Sequence, residues 1–171
     1  MKFLTPEETR AEKQRIWRQL GNADGRPGIA RDFIYHGDKS QYAAAGRAVV
    51  ETVAPISQAT LLFLGTPFGD GWEWRNGGYP GWRDLYTWRA SLGEQRRLYE
   101  IPGHQCDEHE GEELAILIAF ALQLGWDGLL AARPGRNVLG LSHDDRIEFH
   151  VGFKHRTLAV ELEKLGFYQS A

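Results

Sequence analysis

Residues 104–150 of this chain read HQCDEHEGEELAILIAFALQLGWDGLLAARPGRNVLGLSHDDRIEFH. This stretch decides the fold because one long apolar segment is followed by several short ones. The long segment, residues 112–124, is apolar nearly all round, and Glu112 and Glu113 fall in its first turn, where the helix dipole favours anions. It therefore predicts a central helix that ends at Gly125.

After this helix the pattern changes to short apolar segments separated by turn residues. Residues 128–132, 137–142 and 146–152 predict a three-strand meander, with turns over 133–136 and 143–145. Such a meander is antiparallel because each connection is too short for a crossover.

The N-terminal half adds helices and strands around this region. Residues 5–20, counting the N-cap, have the spacing of a capping box and predict a mostly charged helix at the periphery. Residues 32–36 and 59–64 predict strands on either side of a helix over 42–53. This order is typical of a βαβ unit, although it leaves the sheet direction open. A last short helix is predicted over 157–165.

The segment between these regions is rich in Gly, Pro and Trp. Residues 65–83 predict a long loop or distorted hairpin. Residues 84–101 favour a hairpin that turns near 92–93, with a helix over 82–91 as the alternative. The whole chain, residues 1–171, is expected to be one α+β domain with helices packed on a mainly antiparallel sheet.

Composition narrows the function classes. The chain has 171 residues, 42% of them hydrophobic, and a net charge of −3, which disfavours a general nucleic-acid binder. No segment approaches the roughly 18 apolar residues of a membrane span. The first residues lack the apolar core of a signal peptide, and Cys106 is the single cysteine. These features predict a cytoplasmic protein without membrane association, and no pattern in the chain points to a bound cofactor.

An acidic cluster precedes the central helix. Its five carboxylates fall within seven positions: Asp107, Glu108, Glu110, Glu112 and Glu113. A concentrated negative field of this kind can steer a basic protein partner. The alternative is a solvated helix start whose charges serve only the helix dipole.

Metal ligation is a second interpretation of this region. His104, Cys106 and His109 are metal-capable and closely spaced, yet structural zinc sites usually combine two spaced pairs of ligands, and no second cysteine is present. The rival hypothesis is a small metal-dependent hydrolase that uses His104, His109 and His143 with nearby carboxylates. No metal ligand or catalytic residue is assigned from the sequence.

Aromatic and basic residues alternate in the Gly-rich segment. Trp72, Trp74, Arg75 and Trp82 have the composition of protein–protein hot spots. Single-stranded nucleic acids are recognised by a similar composition, but the negative chain disfavours them. The alternative is a loop whose Trp side chains fold inward against the core.

The run Ser142, His143, Asp144, Asp145 is not a catalytic triad, because the members of a triad converge from separate positions. It predicts a turn in which Ser or Asp side chains bond backbone amides. His143, Asp144 and Asp145 are also candidates for a partner-binding surface.

Three short motifs carry a resemblance to a known class. They are PGH (102–104), GWD (125–127) and SHDD (142–145), within residues 98–152. This region resembles small bacterial proteins encoded beside polymorphic toxins, many of which are immunity proteins. The resemblance implies a cytosolic protein that binds and neutralises a toxin. Its expected partner is then a protein, such as a basic toxin domain. It carries no catalytic residues over to this chain.

Overall fold

The fold is that of a computed structural model, which describes residues 1–20, 31–35, 39–64, 80–98, 100–133, 137–142, 146–150 and 155–169. Within them, eight strands form one sheet and five α-helices pack beside it. This confirms the predicted α+β class with a mainly antiparallel sheet.

The strands are β1 (Lys2–Leu4), β2 (Arg31–Tyr35), β3 (Gln58–Phe63), β4 (Gly103–Asp107), β5 (Gly128–Arg133), β6 (Asn137–Ser142), β7 (Arg146–Phe149) and β8 (Phe167–Gln169). Their order is β1-β4-β3-β5-β6-β7-β2-β8, and every neighbouring pair is antiparallel. The helices are α1 (Pro6–Leu20), α2 (Tyr42–Val53), α3 (Pro80–Ser91), α4 (Gly111–Gln123) and α5 (His155–Lys164). The β5–β6–β7 meander is confirmed. Strands β2 and β3 run parallel, as in a βαβ unit, but three strands separate them.

The two faces of the sheet carry separate cores because side chains alternate along each strand. On β3, Leu61 and Phe63 belong to the larger core, which includes residues of α2, α4 and α5. Leu62 faces the other way and packs in a smaller core with Ile16 of α1, which is fully buried. Helix α1 therefore covers one half of the second face.

Helices α2 and α4 form the most extensive helix–helix contact. Their backbones approach closely at Gly46, where an added Cβ atom would lie 2.3 Å from the carbonyl oxygen of Ala115. Helix α4 lies between α2 and the sheet, where β3, β4 and β6 contact it. This position explains why α4 is apolar on most sides.

The preferred hairpin over 84–101 is wrong, and the helical alternative is right. Helix α3 covers Pro80–Ser91 and buries Leu85 and Arg89, which are four residues apart on one helix face. The chain leaves the helix through Gly93, whose φ of +84° suits the left-handed conformation that glycine adopts freely.

Three strands lie where no strand was predicted. Strand β4 ends at Asp107, the first residue of the predicted acidic cluster, and it pairs with both β1 and β3. Strands β1 and β8 have three residues each and form the two sheet edges. Three residues are too few for an alternating pattern to be recognised. Over the described part of the chain, none of the helices combines the length and apolar character that crossing a membrane requires.

Candidate functional site

The predicted acidic cluster lies where β4 passes into α4. We call residues 107–113 the acidic junction. Asp107 ends the strand, a turn follows, and Gly111 begins the helix. The backbone N–H of Asp107 donates to Glu110 Oε2 (2.9 Å), and the backbone N–H of His109 donates to Asp107 Oδ1 (2.8 Å). Two carboxylates thus hold the turn in one conformation, because each satisfies a backbone donor that the strand and helix leave unpaired.

Of the remaining acids of the junction, Glu108 and Glu112 point to solvent, whereas Glu113 is partly buried. The side chains of Glu108 and Glu112 are 65% and 64% exposed, whereas Glu110 is 21% exposed. Glu112 has an ion-pair contact with Arg47 of α2 at 3.7 Å, and Glu110 pairs with the Met1 ammonium. The Arg47–Glu112 contact is exposed and is weakened by solvent screening. It therefore neutralises the negative field of the junction only in part.

Other predicted partner residues fall outside the described part of the chain. They are Trp72, Trp74 and Arg75 of the aromatic segment and the turn residues His143, Asp144 and Asp145. Their place in a partner surface stays a prediction.

Trp82 is described and is partly buried. Its indole packs edge-on against Trp126, with ring centroids 4.8 Å apart, and stacks on Tyr86 at 6.4 Å. Trp126 itself is 3% exposed and belongs to the larger core, in line with a structural role for that residue. Much of the Trp82 ring therefore packs against the core, as the inward-facing alternative expects. Its role in partner binding stays a prediction.

The histidines of the rival metal site lie in different environments. His104 is completely buried on β4, whereas the side chain of His109 is 84% exposed on the turn of the junction. His143 is outside the described residues. Among the residues that the structure describes, no three or more His, Cys, Asp or Glu side chains are grouped to hold a metal ion.

His104 forms an unusual buried group with Arg89. The imidazole lies between the rings of Phe3 and Phe63, each 5.4 Å away and edge-on, and neither ring nitrogen has a hydrogen-bond partner within the described structure. Arg89 is also fully buried, donates to the carbonyl oxygen of Arg96 (2.8 Å), and lies over the Phe3 ring. Burial, and secondarily the Arg89 guanidinium, lower the pKa of His104 well below its ordinary value. This side chain is therefore a neutral core imidazole.

The sequence pattern did not reveal a second buried histidine. Alternation along β7 and the residue after it places Glu148 and His150 on one face, a spacing typical of a solvated strand face, yet His150 is 2% exposed. Its Nε2 lies 3.8 Å from Glu148 Oε2, over Gly140 of β6. A Cβ atom at Gly140 would lie 2.9 Å from that carboxylate oxygen and 3.0 Å from that nitrogen. The glycine therefore provides the room for both polar groups.

The one thiol is expected to be unreactive in the folded chain. Cys106 is 1% exposed, and burial raises its pKa to about 12. At pH 8 only about one thiol in ten thousand is then ionised, and the thiolate is the nucleophile. Intact-mass measurement after iodoacetamide treatment should show almost no labelling of the folded chain and rapid labelling in urea. Equal labelling rates in the two conditions would contradict this placement.

Comparison with known proteins adds no assignment. No protein-family model, no curated protein and no solved structure matches this chain.

Proposed function

We propose that this chain is a non-enzymatic, cytoplasmic binding protein of the immunity or inhibitor kind. Its acidic junction would contact a basic protein partner, such as a toxin domain, and block that partner by direct contact. The observation that carries the proposal is the combination of exposed Glu108 and Glu112 with a turn held by backbone hydrogen bonds that the carboxylates of Asp107 and Glu110 accept.

Preorganisation is the reason this arrangement favours binding. A partner that meets a flexible acidic loop must order it, and that ordering reduces affinity. In the junction, the two hydrogen bonds to backbone N–H groups and the start of α4 already fix the backbone that carries the exposed Glu108 and Glu112. Such a surface accelerates association with a basic partner.

The rival hydrolase receives no support from the described residues. A metal or catalytic centre needs its ligands within reach of one substrate, and His104 is enclosed by Phe3 and Phe63 while His109 is in solvent. The binding function is therefore the one that we propose.

The test compares how well the wild-type chain and a charge-reversed variant of the junction capture a partner. Glu108→Lys with Glu112→Lys reverses the two exposed acids without touching the carboxylates that hold the turn. Tagged wild-type chain, incubated with lysate of its source at moderate salt, is expected to retain one near-stoichiometric basic protein. The double variant should bind this protein about tenfold more weakly, because the steering and contact charges are reversed.

A matched control separates the junction from net charge. Glu51→Lys with Glu163→Lys changes the net charge equally, but these exposed residues lie on α2 and α5, outside the junction. It should retain the partner as the wild type does. Equal retention by both double variants, or a partner that survives high salt, would contradict the proposal.

A further inference from the structure

A cleft of about 570 Å³ opens at one end of the sheet, next to the acidic junction. It is lined by the first residues of β1 and β3 and by the last residues of β4 and β5. The polar lining includes Gln58, Gln105, Asp107 and Arg133. Its volume is within the range of small-molecule sites.

Strand register places an acid, an amide and a base in one row across this end. Gln58 of β3 is the register partner of Asp107 on β4 and also of Arg133 on β5. Partners in register project to the same face, so the three side chains stand side by side. The backbones that carry Asp107 and Arg133 are two strand spacings apart, about 10 Å.

The other charges at the cleft already have partners. Lys2 bonds Glu8 of α1 at 2.8 Å, and Glu110 pairs with the Met1 ammonium. By contrast, Asp107 and Arg133 form no ion pair at contact distance within the part of the chain that the structure describes, although the Glu12 carboxylate of α1 interacts with Arg133 at longer range. The cleft therefore presents one negative group and one positive group, separated by the amide of Gln58.

We propose that this cleft binds a small zwitterion of dipeptide size. Its ammonium group would bond the carboxylate of Asp107, and its carboxylate would bond the guanidinium of Arg133. Two residues of extended chain span about 7 Å, and a charge-assisted hydrogen bond of about 2.8 Å at each end brings the total to about 13 Å. The rotatable side chains of Asp107 and Arg133 can reach this span from backbones about 10 Å apart. Gln58 lies under the middle of such a ligand, where the amide can pair with the ligand's peptide group.

A second polar row supports the same ligand class. Gln105 lies two residues before Asp107 on the same face, and its side-chain amide donates to Thr60 Oγ1 at 3.3 Å. This bond orients the Gln105 amide at the cleft wall. The Gln58 amide between two opposite charges, with the oriented Gln105 amide in the neighbouring row, suits a peptide bond better than a purely anionic or cationic ligand. The proposal goes beyond partner binding and does not depend on it.

The test uses three matched probes against the whole chain. They are alanyl-alanine, its N-acetyl form and its C-terminal amide. Side-chain amide NMR signals of Gln58 and Gln105 report binding directly. A ligand of this size gives a Kd of about 1 mM. Each blocked probe loses one charge, so each is expected to bind at least tenfold more weakly.

Variants assign each charge to its residue. Asp107→Asn keeps the oxygen that accepts from the His109 N–H, so the turn is preserved, but it should abolish the preference for the free ammonium. Arg133→Gln should abolish the preference for the free carboxylate. Arg47→Gln, outside the cleft, is the control and should bind all three probes as the wild type does. No saturable shift with alanyl-alanine, or equal binding of all three probes, would overturn the proposal.

The two functions can fail separately. The Glu108→Lys, Glu112→Lys chain is expected to keep alanyl-alanine binding while losing its protein partner. A wild-type chain that retains no basic partner but responds to alanyl-alanine would leave only the cleft proposal standing. A captured partner without any response to alanyl-alanine would leave only the junction proposal standing.

Discussion

Replacing Gly46 with alanine is expected to lower the free energy of unfolding by about 3 kcal/mol. In an ordinary helix interior the same substitution stabilises by about 1 kcal/mol, since alanine is the better helix former. Here the new Cβ would lie 2.3 Å from the backbone carbonyl oxygen of Ala115, and a backbone atom in α4 cannot move as a side-chain end can. Helices α2 and α4 would have to separate, which opens the larger core.

Urea denaturation at neutral pH measures this effect, with Gly111→Ala as the matched control. The control makes the same change in α4, where the added Cβ would meet only Val50 Cγ1 at an ordinary 3.5 Å. It should leave the free energy of unfolding unchanged or raise it by up to about 1 kcal/mol. A Gly46→Ala chain as stable as the control would show that the close approach of α2 and α4 is wrong.

Acid is expected to destabilise the protein through His104. Because burial lowers the pKa of this imidazole in the folded state, the unfolded chain binds one more proton below about pH 6.5. The stabilisation is complete above that pH and is lost as the pH falls toward the folded-state pKa. This one group should cost about 1 kcal/mol of unfolding free energy between pH 7.5 and 5.5. Arg89 opposes protonation from the same core.

The variant His104→Leu isolates this contribution. Leucine fills a similar volume between Phe3 and Phe63 and has no polar atom to leave unsatisfied, so stability at pH 7.5 should change by less than about 1 kcal/mol. The acid-dependent loss should shrink by about 1 kcal/mol relative to wild type. Identical pH dependence in the wild-type and His104→Leu chains would contradict the buried placement.

The central part of the fold could be predicted because its signals are long. Nine of the thirteen residues of α4, residues 114–122, form a continuous apolar run, and the meander has turn residues on both sides of every strand. The capping box of α1 is also formed, with reciprocal hydrogen bonds between Thr5 and Glu8. In these elements local propensity and tertiary packing favour the same structure.

Other elements depend on tertiary contacts that a single sequence does not display. Strand β4 contains His104 and Cys106, which look like site residues but are buried because β1 and β3 flank them. The acidic junction was predictable from composition, whereas its hydrogen-bonded turn was not. The row of Asp107, Gln58 and Arg133 arises only from the register of three strands that are distant in sequence.

The most direct test of the binding function is the association rate constant with the captured partner, measured by stopped flow over a series of salt concentrations. For the wild type, the rate should fall at least about tenfold from low to high ionic strength, because an exposed charged surface steers the encounter. The Glu108→Lys, Glu112→Lys chain should associate slowly at every salt concentration, and the Glu51→Lys, Glu163→Lys chain should stay close to wild type. A rate that is independent of salt, or equally reduced in both variants, would contradict recognition through the acidic junction.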